Sequence, residues 1–203
     1  VTRKIKDYNL HKEAGIKSLH AKILAMEISY IWNWYACMST EDLAQYLKDI
    51  EPLEAELSSL KQSSEADPLL KEFEVSLSLI KGTILNNSGR FGEAIKLVTK
   101  AAQEVTSKEK WVWGHAVYEL GTMLLTSVAK LPADHKFHKL GSALEAENLG
   151  TPFERCSKAK AKYKELLKFR QDFNFEIRLR FKLQAASTHC SKVHRSMKKE
   201  QGI

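Results

Sequence analysis

Three cysteines and seven histidines carry most of the chemistry this chain could offer to a metal ion or a substrate. Cys37, Cys156 and Cys190 are far apart, odd in number and free of any C-x-x-C spacing, so neither a disulfide framework nor a zinc site is indicated. A reducing compartment suits such thiols, and Cys37, which follows an aromatic run, is expected in the core. Asp134, His135 and His138 cluster in a polar stretch but supply too few ligands at helix or loop spacing for a metal centre. His189, Cys190 and His194 have a ligand-like spacing too; an ordinary helix end near the chain terminus explains them as well. No G-x-S-x-G, phosphate loop, dinucleotide fingerprint or paired-carboxylate arrangement is present. The expectation is a protein without catalytic residues, metal or cofactor.

Charge and aromatic residues offer a different chemistry. The net charge of +7 is concentrated in Arg155–Glu200, where fourteen basic residues stand against four acidic ones. Such a block attracts phosphate, acidic lipid or an acidic protein, unless it is only the solvated face of lysine-rich helices. Lys158, Lys160, Lys162, Lys164, Arg178, Arg180 and Lys182 are the candidate basic surface, with Lys192, Arg195, Lys198 and Lys199 beyond them. Lys158 to Lys164 spread over more than one helix face, which weakens a focused patch. Trp32, Trp34, Trp111 and Trp113 form two W-x-W pairs, and residues two apart on a helix point about 200° away from each other. One indole of each pair is therefore expected inside, with the other covering a neighbouring helix or anchoring a partner.

The elements that must position these residues are helices. Of 203 residues, 43% are apolar and 28% charged, and only four prolines and nine glycines interrupt a chain rich in Ala, Leu, Lys and Glu. No stretch approaches the roughly 18 to 20 uncharged apolar residues of a membrane span, and the charged start is no signal peptide, so a cytoplasmic protein is expected. The chain opens at Val1 without a methionine, as expected of a piece of something longer.

Apolar residues at helical spacing predict a long helix from Leu10 to Cys37. A second runs from Leu43 to Leu60 behind the caps Ser39 and Thr40 with Glu41 and Asp42 in its first turn. Together they make a first helix pair over 10–62. Asp67 and Pro68 start a third helix that stops at Asn86-Asn87-Ser88-Gly89, and Phe91 to Val105 is its partner, giving a unit over 67–106. Trp111 to Val128 begins a further unit over 110–168. Its second helix starts at Pro152, after an inserted loop over 129–150 with about a turn of helix. Phe173, Phe175, Ile177, Leu179, Phe181 and Leu183 alternate like a strand, but no other segment offers a strand to pair with. A capping helix over 172–195 is the better reading, and about seven helices result.

Gly82, Leu85, Gly89, Ala94, Val98 and Ala101 fit the small and large positions of a tetratricopeptide helix pair, where small residues let two helices approach and large ones fill the space beside them. Val117, Leu120, Gly121 and Leu124 with Ala159, Tyr163 and Leu166 repeat the pattern. Gly82 to Ala94 spans twelve positions and Gly121 to Ala159 thirty-eight, leaving twenty-six extra residues in the second copy. Helical hairpins packed as in any bundle are the alternative. The fold class read from the chain is all-α, with tetratricopeptide-like helix-turn-helix pairs stacked as a right-handed solenoid in a single domain.

Four stretches carry a further resemblance. Glu27-Ile28-Ser29-Tyr30-Ile31-Trp32-Asn33; Leu79-Ile80-Lys81-Gly82 with Gly89-Arg90 and Glu93-Ala94; Tyr118-Glu119-Leu120-Gly121; and Phe175-Glu176-Ile177-Arg178-Leu179-Arg180-Phe181 with Ala185-Ala186 resemble the C-terminal half of the tetratricopeptide repeat protein 39 family, to which the fungal inclusion body clearance protein belongs. The insertion and the lysine-rich sixth helix depart from that family. The resemblance implies a cytosolic solenoid with adaptor or scaffold roles and no catalysis. In such arrays the first helix of each pair lines the concave surface, which places Ser76, Thr83, Asn87, His115, Tyr118, Glu119 and Thr122 beside a groove. Members that grip a C-terminal carboxylate use Lys, Asn and Arg there; these positions are mostly neutral and Glu119 is acidic, which argues against a chaperone-tail receptor.

Three functions follow as expectations. The first is a scaffold whose groove binds a helix or peptide segment of another protein. The second is a module binding nucleic acid or an anionic membrane through the basic helices. The third is a subunit of a larger assembly that buries the tryptophans and the last apolar helix.

Overall fold

The computed structural model describes residues 14–63, 68–104, 110–168 and 176–202. Within them the regular structure is entirely helical: α1 (Ala14–Ile31), α2 (Thr40–Ser63), α3 (Pro68–Asn87), α4 (Phe91–Gln103), α5 (Lys110–Thr126), α6 (Leu140–Ala146), α7 (Pro152–Lys168) and α8 (Glu176–Gln201), with a 3-10 turn at Trp34–Ala36. The expected all-α class is therefore found. Among the described residues eight α-helices replace about seven, because the inserted loop contains α6.

Local chemistry explains most boundaries. Ser39 caps α2, its Oγ accepting the Asp42 amide at 3.1 Å. Asp67, the expected cap of α3, lies outside the described residues. Gly89 has φ +80° and lets the Arg90 amide reach back to the Leu85 carbonyl at 2.9 Å, closing the α3–α4 turn. At α7, Thr151 and Glu154 cap each other's amides, at 3.3 and 2.7 Å. The alternating run at 173–183 is helical from Glu176 onward, and 173–175 lie outside the described residues. Leu179, Leu183 and Cys190 form its buried stripe at helical spacing.

Two expectations about the first helix are corrected. It ends at Ile31 and not at Cys37, because Asn33 takes a left-handed conformation (φ 61°) and the chain continues as the 3-10 turn. Trp32 and Trp34 are then both 54% exposed, and Cys37 is exposed instead of buried. The other pair, Trp111 and Trp113, is buried at both positions, since α5 is enclosed on every side over its first two turns. One-in, one-out applies to neither pair.

Along the chain α2 packs on α3, α3 on α4, α4 on α5, α5 on α7 and α7 on α8, while α3 also meets α5 and α5 meets α8. That is the neighbour order of stacked helix pairs. The seams are filled by Leu79, Ile80, Ile84, Leu85, Ala94, Val98, Val117, Ala159 and Tyr163, all buried. Each fully buried aliphatic or aromatic side chain contributes about 1.5–3 kcal/mol. A methyl group on Gly82 would stand 2.8 Å from Val98 Cγ2, and one on Gly121 would stand 2.7 Å from the Tyr163 ring, so both small positions are required by close helix approach. Helix α1 departs from the pairing. It leans on α2 only lightly and lies across α3, where His20 meets the Phe73 ring at 5.2 Å.

Candidate partner-binding face

His115, Tyr118, Glu119 and Thr122 fall at i, i+3, i+4 and i+7 on α5, which places them on one face. Tyr30 of α1 reaches this face. Its hydroxyl donates to Glu119 Oε1 at 3.1 Å, and its ring stands edge-on to His115 at 5.5 Å. His115 donates from Nδ1 to the Trp111 carbonyl oxygen at 2.9 Å. Farther along, the Thr122 hydroxyl donates to the Tyr118 carbonyl and lies 3.3 Å from the Tyr163 hydroxyl, while the Tyr118 and Tyr163 rings are 6.3 Å apart.

Burial governs the protonation of this group. His115 is pushed down to about 4 by burial, with a smaller contribution from the Lys182 ammonium. Glu119 is raised by burial, against the opposing effects of the Tyr30 hydrogen bond and Lys182. Tyr30 is raised well above the ordinary phenol range by burial and by the Glu119 charge, and Tyr118 is raised by burial and then by Glu119. At neutral pH the imidazole is neutral, a donor at Nδ1.

The structure separates the seven expected groove residues into two sets. Tyr118, Glu119 and Thr122 are half-buried on α5, over the buried His115. Ser76, Thr83 and Asn87 of α3 are not an open surface. Ser76 is buried and donates to Glu27 Oε1 of α1 at 2.6 Å. Thr83 is buried, its hydroxyl turned to the Leu79 carbonyl. Asn87 accepts from Lys136 Nζ at 3.0 Å, and the same ammonium donates to the Ala36 carbonyl at 3.3 Å. Helix α1 and the inserted loop therefore cover the α3 part of the face.

The basic residues do not gather into a single patch. Lys158 donates to the Leu149 carbonyl at 2.8 Å, and Lys162 pairs with Glu165 at 3.1 Å. Lys160, Lys164, Arg180 and Lys182 are exposed, and the Arg178 side chain lies outside the described residues. Lys164 and Lys168 flank an open cleft with Trp113, Ala161 and Glu165, whereas the Lys182 charge acts on His115 and Glu119.

Among the described residues no group of three or more His, Cys, Asp and Glu side chains is placed to hold a metal. His135 accepts the Phe137 amide, His138 lies against the Leu131 carbonyl, and His194 stacks on Phe153 with Ser157 at 3.2 Å. Cys190 faces Cys156 across the α7–α8 contact.

Glu27, Tyr30, Lys136 and Arg155 were not expected here. Glu27 carried one signal, being an acid on the apolar stripe of α1 that demands a buried partner. Arg155 is 1% exposed and donates to the Gly150 carbonyl at 2.8 Å and to Glu145 Oε1 at 3.1 Å, which fixes the end of the insertion against α7. No described helix is long and apolar enough to cross a membrane. No family model, no curated protein and no solved structure matches the chain.

Proposed function

We propose that this chain is a non-enzymatic protein-interaction scaffold that grips a helix along the face formed by α3, α5 and α8. One observation carries the reading: the face already holds a helix. α1 lies across α3 and reaches α5, anchored by Glu27 on Ser76 and by Tyr30 on Glu119 and His115. Beyond Tyr30 the same side of α5 continues over the half-buried Tyr118 and Thr122, and the charge of the exposed Lys182 of α8 acts on His115 and Glu119. A partner helix suited to it presents an apolar stripe with an acidic or hydroxyl-bearing residue for Lys182 and Thr122. The ionisable groups that meet there are engaged with one another and with a helix, which supports binding over catalysis. Membership of the tetratricopeptide repeat protein 39 family, an adaptor role and a cytoplasmic location belong to the same reading.

Affinity capture by the 203-residue chain at low and high salt tests it, alongside Tyr118→Ala and Glu119→Lys with helicity checked by circular dichroism. A protein retained at high salt, lost with both variants and competed by a synthetic Ala14–Ile31 helix supports a helix-gripping face. Equal retention by wild type and both variants rejects it.

A further inference from the structure

The cations of this chain are unequally matched. Along α2, α3 and α4, Lys61 and Lys100 both hold Glu74, Lys81 sits on Glu54, Lys71 on Glu104 and Lys96 on Glu147. On α7 and α8, by contrast, many lysines have no carboxylate within ion-pair distance among the described residues, Lys192, Lys198 and Lys199 toward the far end of α8 and, before them, Lys164, Lys168 and Lys182.

The latter three lysines share one end of a helical hairpin. Cys156 and Cys190 fix its register, each Sγ lying against the other's carbonyl oxygen at 3.9 and 3.6 Å, and the Phe153–His194 stack shows that the helices run antiparallel. Lys164 comes eight residues after Cys156 and Lys182 eight residues before Cys190, which puts both about 12 Å from that contact, at the same end. Leu167 and Phe181 sit beside them, 53% and 72% exposed. The open cleft floored by Trp113 between Lys164 and Lys168 adjoins this end.

We propose that this end of the α7–α8 hairpin docks on an anionic membrane surface. Unpaired ammonium groups supply attraction to acidic headgroups, and apolar side chains held in water beside them gain by entering the boundary of the acyl chains. Lys162 neutralises Glu165, the carboxylate that lines the cleft among the described residues. A nucleic acid would use the lysines and the Phe181 ring but leave Leu167 in water, so a lipid surface uses more of what is presented. Lys182 belongs to both this surface and the helix-gripping face, so Lys164, Lys168 and Phe181 are the positions that report on membrane docking alone.

Cosedimentation of the full chain with vesicles tests the proposal, comparing phosphatidylcholine alone with a phosphatidylcholine–phosphatidylserine mixture. Binding is expected only to the mixture and should weaken as salt rises. Phe181→Ala should lower affinity about tenfold, as loss of a buried aromatic ring does. Each of Lys164→Glu, Lys168→Glu and Lys182→Glu should lower it about fivefold or more. Charge-matched Lys192→Glu, Lys198→Glu and Lys199→Glu at the other end of α8 serve as controls that bind nearly as wild type. The altered side chains are exposed, so circular dichroism should be unchanged. Equal binding to both vesicle types, an equal loss from the control set, or binding to a single-stranded oligonucleotide with none to the acidic vesicles would overturn it.

Discussion

In α3–α4 the small residue at the helix crossing is Gly82, packed on Val98 and the Ala94 carbonyl; in α5–α7 it is Gly121, packed on the Tyr163 ring. The two crossings are alike, but three residues separate α3 from α4 while twenty-five separate α5 from α7. Loop-closure entropy grows only with the logarithm of length, so the longer connection costs about 2 kcal/mol more. Buried Leu140 and Leu144, the Phe137–Phe91 contact and the Arg155 hydrogen bonds offset that cost. The side-chain contact, and not the length of the connection, specifies a helix pair. Corresponding positions then part company by what lies over them. Leu79 and Ile80 of α3 correspond to Tyr118 and Glu119 of α5. The first two are fully buried in the interior and the second two half-exposed, and α1 covers α3 while only its end reaches α5.

Substitution of the small residue should have the largest effect. Gly82→Val should cost about 3 kcal/mol in urea unfolding, and adding Val98→Ala should recover part of it, because the nearest obstacle is a side chain. If Gly82→Val were neutral while Gly121→Ala was severe, the two crossings would not be equivalent.

The ionisable side of α5 gives the next test. His115 is held neutral, so its contribution is complete above the unfolded value of 6.5 and is lost as pH falls toward about 4, where the folded imidazole also takes a proton. The loss should be on the order of 3 kcal/mol. The raised carboxyl of Glu119 acts oppositely, since a folded acid that binds its proton more readily gains stability as pH falls. The difference between wild type and His115→Gln isolates the imidazole: it should shrink from pH 7 to pH 4. Ser76, the α3 counterpart of His115, has no such dependence.

Arg155→Met should cost about 2 kcal/mol by leaving the Gly150 carbonyl without its donor. Limited proteolysis should then cut first within 129–150 and leave the short α3–α4 turn intact. The smallest effect is expected at Glu74, whose carboxyl is drawn down to about 2 by Lys100 and then Lys61. Glu74→Gln should cost about 1 kcal/mol at pH 7. That contribution is present above the unfolded value of 4.5 and is lost as pH falls through about 2. Removing Lys164, which has no such partner among the described residues, should leave stability unchanged.

Much of this architecture was legible in residue order because its causes are local. Pro68, Gly89, Ser39 and Pro152 mark helix ends through backbone geometry and hydrogen bonds that reach only a few residues. The spacing of Gly82, Ala94 and Val98 reports a contact between adjacent helices. The helical reading of the alternating run held from Glu176 onward because a strand requires a partner strand. Within the candidate face, Tyr118, Glu119 and Thr122 were named through the resemblance to tetratricopeptide arrays, and their helical spacing puts them on one side of α5. The fate of Ser76, Thr83 and Asn87 was not, since it depends on α1 and Lys136, which are remote in the chain.

The tryptophan pairs draw the same line. Identical W-x-W spacing gives two exposed indoles after α1 and two buried ones in α5, because Asn33 ends one helix while neighbouring helices enclose the other. Sequence by itself determined most of the helices, many of their ends and the small-residue crossings, set by short-range sterics and hydrogen bonding. Tertiary structure alone decided which face α1 covers, which lysines meet a carboxylate and which aromatic side chains stay in water, because burial and charge pairing depend on groups brought together from distant parts of the chain.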